Sequence, residues 1–194
     1  MHSAPGTHVM ITIEEHYPGR IFKHCPRCGA GGFALRDASS FRCERCDFVY
    51  FVNAAAAVAG LVFDDSRRLL LVERKNEPRK GMLDLPGGFA DIMETAEEAL
   101  RRELREELNI EITTATYLAS FPNRYLYGGI TYFTLDMGFI CAATDFSRMR
   151  AHDDAAAIVF MRPDDIDLDA IGFESIRRMI ALARQSPSSP TSAF

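Results

Sequence analysis

Residues 87–110 read GGFADIMETAEEALRRELREELNI, and the reading of the chain turns on this stretch. Thr95 with Glu98 three positions later has the pattern of a capping box, in which a hydroxyl and a carboxylate satisfy the first open N–H groups of a helix. Ala96, Ala99, Leu100, Leu104 and Leu108 then recur at helical spacing, so the sequence predicts an amphipathic helix that starts after Thr95. On that helix Glu103, Glu106 and Glu107 stand at i, i+3 and i+4, and their carboxylates fall within one sector about 100° wide. Like charges at this spacing destabilise a helix by about 0.2–0.5 kcal/mol per pair, so the arrangement calls for a cation. Two sources fit: Arg102, four residues before Glu106, on a solvated face, or a hard divalent metal ion. Just upstream, Pro86, Gly87 and Gly88 mark a bend whose backbone conformations favour glycine. The helix N-terminus that follows offers partial positive charge to any phosphate bound there.

Outward from the helix, strand-like runs surround it. Ala54–Phe63 and Leu69–Val72, separated by Asp64, Asp65 and Ser66, read as two strands joined by a tight turn. Leu83–Phe89 reads as a strand end running into the Gly-Gly bend. Beyond the helix, Ile110–Phe121, Ile130–Ala142 and Ala155–Phe160 are further strands, and Phe173–Gln185 is a closing helix. Residues 1–20 read as a loose arm with one short strand at Val9–Ile13, and residues 186–194 as a flexible tail rich in Ser and Pro. With 194 residues against roughly 150 per domain, one main domain over 51–185 plus a small unit over 21–50 is the expected organisation.

The small unit contains Cys25, Cys28, Cys43 and Cys46, two Cys-x-x-Cys pairs with fourteen residues between them. Its length is too short for an apolar core of its own, so another device must hold it together. Four thiolates around one Zn²⁺ are that device, in the pattern of a zinc ribbon. Two disulfides or a redox dithiol are the alternatives, and the lack of a secretory signal and of a thioredoxin-like context disfavours both. A closed four-sulfur shell leaves no open coordination position, so this zinc is expected to stabilise and not to catalyse. Cys141 stands alone in an apolar run and reads as a buried residue.

The stretch from Gly88 to Ile110 resembles the signature of the Nudix hydrolases: a glycine, five residues, a glutamate, seven residues, Arg-Glu, an aliphatic residue, any residue, Glu-Glu, any residue, a glycine and an aliphatic residue. Gly88, Glu94, Arg102, Glu103, Leu104, Glu106, Glu107 and Ile110 fall in place, while Asn109 stands where the family has glycine. Asparagine tolerates the left-handed backbone that ends a helix, so the stop is expected to be kept. The resemblance implies an α/β fold, an α/β/α sandwich around a mixed β-sheet, preceded here by the ribbon. It further implies that Glu103, Glu106 and Glu107 bind Mg²⁺ or Mn²⁺, that the carbonyl of Gly87 adds a ligand, and that Arg102 and Glu94 brace the loop as an ion pair. Hard cations held by carboxylates suit pyrophosphate cleavage, which needs charge stabilisation on phosphoryl oxygens and a nucleophile made from water. A further acidic residue often comes from a late loop in the family, and Asp153 and Asp154 are the candidates here for a base or ligand, with loop capping as their alternative role.

A ribbon followed directly by such a domain is similar to the NADH pyrophosphatase group and its relatives. That group carries Ser-Gln-Pro-Trp after the signature, whereas this chain has Ser120-Phe121-Pro122-Asn123 and no tryptophan. Phe121 and Tyr125 in this segment are candidates to stack on a nucleobase, with ordinary packing as the alternative. The resemblance thus points to hydrolysis of a nucleoside diphosphate linked to another moiety, with ADP-ribose and NAD(H) as leading substrates and a homodimer as the assembly. A nucleoside triphosphate pyrophosphohydrolase and a non-catalytic nucleotide-sensing or nucleic-acid-binding module are the competing readings. The net charge of −5 argues against unassisted nucleic-acid binding. The longest apolar stretch, Phe48–Phe63, is broken by Asn53 and falls short of the roughly 20 residues that cross a bilayer, so no membrane partner is expected and the cytoplasm is the default location.

Overall fold

Strands β4 (Ala55–Val62) and β5 (Leu69–Arg74) alternate their side chains between two apolar layers, and this alternation organises the main body of the chain. The computed structural model describes residues 17–37, 39–143, 145–151 and 155–185. The strand expected at Val9–Ile13, most of the N-terminal arm, the tail 186–194 and the pair Asp153–Asp154 lie outside these residues. The chain divides into two compact units. One comprises the residues up to Asn53 together with Leu126–Tyr132; the other comprises Ala54–Tyr125 and the residues from Phe133 onward.

In the larger unit Val58 and Val62 of β4 and Leu70 and Val72 of β5 pack in one layer with Ala99, Leu100, Leu104 and Leu108 of helix α1 (Ala96–Leu108). Ala59 and Leu61 with Leu69 and Leu71, their sequence neighbours, point to the other layer and meet Ile176, Met179 and Ile180 of helix α2 (Glu174–Gln185). Both faces of these strands are therefore buried, which explains the near-continuous apolar run at residues 54–63. Gly60 of β4 faces α1, where a Cβ would come into ordinary contact, 3.4 Å, with the Leu100 and Leu104 methyls.

The sheet beneath α1 is mixed, as expected. Its order is β7 (Gly87–Phe89), β4, β9 (Ile130–Ala143) and β8 (Ile112–Tyr127), with β4 parallel to β9 and antiparallel to β7. A second sheet has the antiparallel order β10 (Ala155–Met161), β5 and β6 (Leu83–Asp84). The strands at 54–63 and 69–72 are joined by a tight turn, as expected, and run into separate sheets. The turn is present, with the Asp64 carboxylate accepting the N–H groups of Ser66 and Arg68 at 3.0 and 2.8 Å, and one bridge links Phe63 to Leu69. Beyond it each strand has both edges taken by other partners, so the two diverge into separate sheets. The strand expected to stop at Phe121 continues as β8 through Pro122 to Tyr127. A proline is tolerated there because β8 is the edge of its sheet and need not donate outward.

Helix α1 begins with both halves of the capping box in place: the Glu98 N–H donates to Thr95 Oγ1 at 3.2 Å and the Thr95 N–H to Glu98 Oε2 at 2.9 Å. It ends at Asn109, which adopts φ 54° and ψ 41° and whose Nδ2 donates to the Arg148 carbonyl at 3.0 Å. The left-handed stop is kept without glycine.

In the smaller unit, β1 (Phe33–Asp37), β2 (Ser40–Cys43) and β3 (Val49–Phe51) form an antiparallel sheet. This unit has more apolar content than its length suggested. Phe41 is fully buried, with Phe22 edge-on and Phe33 stacked against it, each at 5.4 Å between centroids, and Phe48 lies 6.5 Å from Phe33. Among the described residues no helix is long and apolar enough to cross a membrane.

Candidate active site

Glu103 and Glu107 of α1 lie beside the Gly-Gly bend because β7 pairs with β4 and α1 packs against both, whereas Glu106 is half exposed, outside the cleft lining and bonded to Arg102. Gly87 has φ 146°, and a Cβ there would overlap the Val58 carbonyl of β4. Its N–H donates to Glu107 Oε2 at 3.0 Å, which fixes that buried carboxylate against the strand. At Gly88 a Cβ would stand 2.5 Å from Glu103 Oε1, so hydrogen at this position makes room for the Glu103 carboxylate. Both glycines are therefore needed for close approach of backbone and carboxylate.

Arg102 ties the loop to the helix. Its Nε and Nη2 donate to the two oxygens of Glu94, each at 2.9 Å, in a fork-to-fork pair. Nη2 also reaches the Phe89 carbonyl at 2.9 Å, and Nη1 donates to Glu103 at 2.8 Å and Glu106 at 3.2 Å. The Arg102 hydrogen bonds and the Asp91 N–H hold the Glu94 carboxyl below the usual glutamate range. Glu103 is shifted the other way: burial raises its pKa, and Arg102 only partly opposes this. Carboxylate oxygens are the hard donors that Mg²⁺ and Mn²⁺ take, and in this structure the Arg102 guanidinium holds those of Glu103 and Glu106.

Glu103 and Glu107 line a cleft of about 320 Å³. Tyr125 lines the same cleft, meeting Phe89 edge-on at 5.4 Å and 90°. Phe121, the other aromatic candidate, packs in the α2 layer with the Arg178 guanidinium 4.1 Å above its ring. Sequence reading missed six charged or polar cleft residues: Arg74, Asp84, Asp91, Asn123, Thr134 and Asp136. Asp136 accepts hydrogen bonds from Thr134 Oγ1 and Ser175 Oγ, each at 2.5 Å. Burial pushes the Asp84 carboxyl up to about 6 even though Arg74 bonds to it. The available signal was a charged residue inside an apolar strand, in Leu83-Asp84-Leu85 and Leu135-Asp136-Met137.

The cysteines form a second centre in the smaller unit. Gly29 and Asp47, each just after a Cys-x-x-Cys pair, take positive φ (70° and 58°) and close tight turns, with N–H groups donating to the carbonyls of Cys25 and Cys43. The four Sγ atoms lie within 4.8 Å of one another, with Cys25 to Cys46 and Cys28 to Cys43 each at 3.7 Å. A tetrahedral ion with metal–sulfur bonds of about 2.3 Å sets its sulfurs about 3.8 Å apart, so the thiols are spaced to fit Zn²⁺. Burial opposes ionisation of Cys43, but the N–H groups of Cys46 and Arg45 outweigh it and draw the thiol down to about 7. Cys141, by contrast, is pushed up to about 12 by burial and is an inert thiol.

Comparison with known proteins adds four observations. Residues 53–183 match the NUDIX domain family. Over 128 residues the chain is 32% identical to the ADP-ribose pyrophosphatase of Methanocaldococcus jannaschii, covering 65% of this chain and 72% of that protein. Over 110 residues it is 26% identical to the NAD-capped RNA hydrolase NudC of Vibrio vulnificus, of which it spans 41%. In fold it is similar to a NUDIX hydrolase from Nitrosomonas europaea, with a TM-score of 0.65, 20% identity, and coverage of 84% of this chain and 93% of that one.

Proposed function

The chain belongs to the Nudix family, and from that premise we propose that it is a Mg²⁺- or Mn²⁺-dependent pyrophosphohydrolase. Its substrate is a nucleoside diphosphate joined to a second moiety, with ADP-ribose and NAD(H) foremost. One observation carries the reading: Glu103 and Glu107 stand in the same cleft as the Gly-Gly bend and the Tyr125 ring, so phosphate chemistry and an aromatic wall share one cavity. The relatives named for ADP-ribose and NAD derivatives support the substrate class.

In this account Glu103, Glu106 and Glu107 hold the cation, with the Gly87 carbonyl as a further ligand. A cation held there would supply the charge that polarises phosphoryl oxygens and acidifies a water molecule. The residues of the chain do the rest. Arg102 and Glu94 lock the loop, and the Gly87 N–H keeps the Glu107 carboxylate aimed. Tyr125 receives the planar base, and Phe121 remains a second candidate for that contact. Asp153 and Asp154 are the candidates for the base that takes a proton from water. Water adds across the P–O–P bridge, yielding a nucleoside monophosphate and a phosphorylated partner, with the proton passing to solvent. Zn²⁺ held by Cys25, Cys28, Cys43 and Cys46 stabilises the ribbon at 21–50, while residues 51–185 form the catalytic domain. The partner is a nucleotide-derived small molecule, the assembly a homodimer and the setting the cytoplasm.

Product analysis tests this. Purified protein with Mg²⁺ or Mn²⁺ is offered ADP-ribose, NAD, NADH and nucleoside triphosphates. AMP release from the first group is the expected result. Pyrophosphate release from triphosphates alone moves the chain to the other enzymatic class, and nucleotide binding without turnover makes it a sensor.

A further inference from the structure

Arg74, at the end of β5, gathers groups from four parts of the cleft wall. Its Nη1 donates to Asp84 Oδ2 at 2.8 Å, its Nε to the Pro78 carbonyl at 2.8 Å and its Nη2 to the Tyr125 hydroxyl at 3.4 Å. Its guanidinium carbon lies 4.9 Å from the Phe173 ring centre and 6.0 Å from that of Tyr125. Asp84 is held in turn by the Leu85 N–H, which donates to Oδ1 at 2.9 Å. The Tyr125 ring is stacked on Phe173 at 5.7 Å and 29° and stands perpendicular to Phe89. Phe89 and Tyr125 therefore form a right-angled aromatic corner in the lining of the cleft, an arrangement of the kind that receives a planar heterocycle. Nothing in the glutamate cluster needs this construction. A buried ion pair is also a poor source of stability, because desolvation consumes most of its attraction. What Arg74 does supply is direction: a flat, forked cation fixes a hydroxyl, two ring planes and a carboxylate at once.

We infer that Arg74, braced by Asp84, is a positioning residue that fixes the Tyr125 ring as the wall receiving the base of a nucleoside diphosphate substrate. The inference rests on the nucleotide reading of the cleft given above. It assigns Arg74 and Asp84 to recognition of the base and leaves the phosphate end to the glutamates. Lysine at position 74 keeps the charge facing Asp84 but loses the fork to Tyr125 and the flat contact with Phe173. Phenylalanine at position 125 keeps the ring and loses the hydroxyl through which Arg74 acts.

The test compares wild type, Arg74→Lys, Tyr125→Phe and the double variant. KM and kcat are measured for ADP-ribose, and calorimetric Kd for AMP and for ribose 5-phosphate, which has no base. Each single variant is expected to raise KM and the AMP Kd about threefold, because the Arg74 contact to the Tyr125 hydroxyl, at 3.4 Å, is longer than a strong charge-assisted hydrogen bond, with kcat unchanged. The double variant is expected to be no worse than the singles, because both act through one contact. Ribose 5-phosphate affinity is expected to stay unchanged. Unchanged AMP affinity, equal losses for ribose 5-phosphate, or additive effects overturn the inference while the proposed activity stands. Wild-type protein that neither cleaves ADP-ribose nor binds AMP removes the nucleotide reading itself, and the inference falls with it. Tyr125→Phe carries the test if melting shows that Arg74→Lys does not fold.

Discussion

Replacing Gly88 by alanine separates the fold from the chemistry. The new Cβ would stand 2.5, 2.6 and 2.8 Å from Oε1, Cδ and Oε2 of Glu103. Ordinary contact begins near 3.4 Å, so the carboxylate must retreat by about 0.9 Å. Glu103 is the far end of a flexible side chain and can move, so the backbone is spared. Gly88, unlike Gly87, is not in the positive-φ region, and alanine there reduces unfolded-chain entropy by about 0.4–1 kcal/mol. Against this stand an off-rotamer Glu103, at about 0.5–1.5 kcal/mol, and a strained bond to Arg102. These opposing contributions leave net stability within about 1 kcal/mol, a melting shift of only a few degrees for a chain of this size. Activity has no such compensation. A misplacement of about 1 Å at a reacting centre costs about 100-fold, so Gly88→Ala is expected to lower kcat by about that factor and to weaken the dependence on Mg²⁺. Steady-state hydrolysis across a Mg²⁺ titration, with thermal melting alongside, reads both quantities. Wild-type turnover in a folded Gly88→Ala protein would refute the assignment of Glu103 to the metal site.

Gly87→Ala is expected to act on the fold, since its φ of 146° and the Val58 carbonyl leave no room for a side chain. A melting temperature lowered by the equivalent of about 1–3 kcal/mol is the outcome that checks it, and an unchanged one contradicts the β4–β7 geometry. Cys43→Ser removes one of four clustered thiols, so the protein should lose zinc on dialysis and melt lower; full zinc content with unchanged melting counts against the structural metal. Glu94 has its pKa lowered from 4.5 by Arg102 first and the Asp91 N–H second. A folded pKa below the unfolded one contributes stability that is present above about pH 4.5 and lost as pH falls through the folded value. The stability gap between wild type and Glu94→Gln in denaturant melts should therefore close in acid, and a gap that is constant with pH would show that the ion pair is not its origin.

Local patterns were legible in the sequence, and pairings over distance were not. Helix α1 could be read from Thr95 to Asn109 because its cap, its apolar spacing and its stop are all written within one short stretch. The thiol cluster was legible because Cys-x-x-Cys spacing encodes a turn. Arg74 and Asp84 stand ten residues apart with no spacing rule to connect them, and only the pairing of Val72 with Asp84 in the β5–β6 ladder brings them together. Phe173 and Ser175 reach the site region from the start of α2, nearly forty residues beyond Asp136 in the chain, with no spacing rule to connect them. The turn at Asp64 was legible because it is local, whereas the partners that draw β4 and β5 into separate sheets come from β7, β9, β6 and β10.

The most direct test of the central claim is AMP release from ADP-ribose with Mg²⁺ by wild-type protein and by Glu107→Gln. Glutamine keeps an oxygen for the Gly87 N–H and the volume of the buried side chain, so the fold is retained while a metal charge is lost. The account predicts Mg²⁺-dependent AMP release by wild type and a loss of about 100-fold or more in the variant at similar melting temperature. Equal turnover by the two proteins would contradict it.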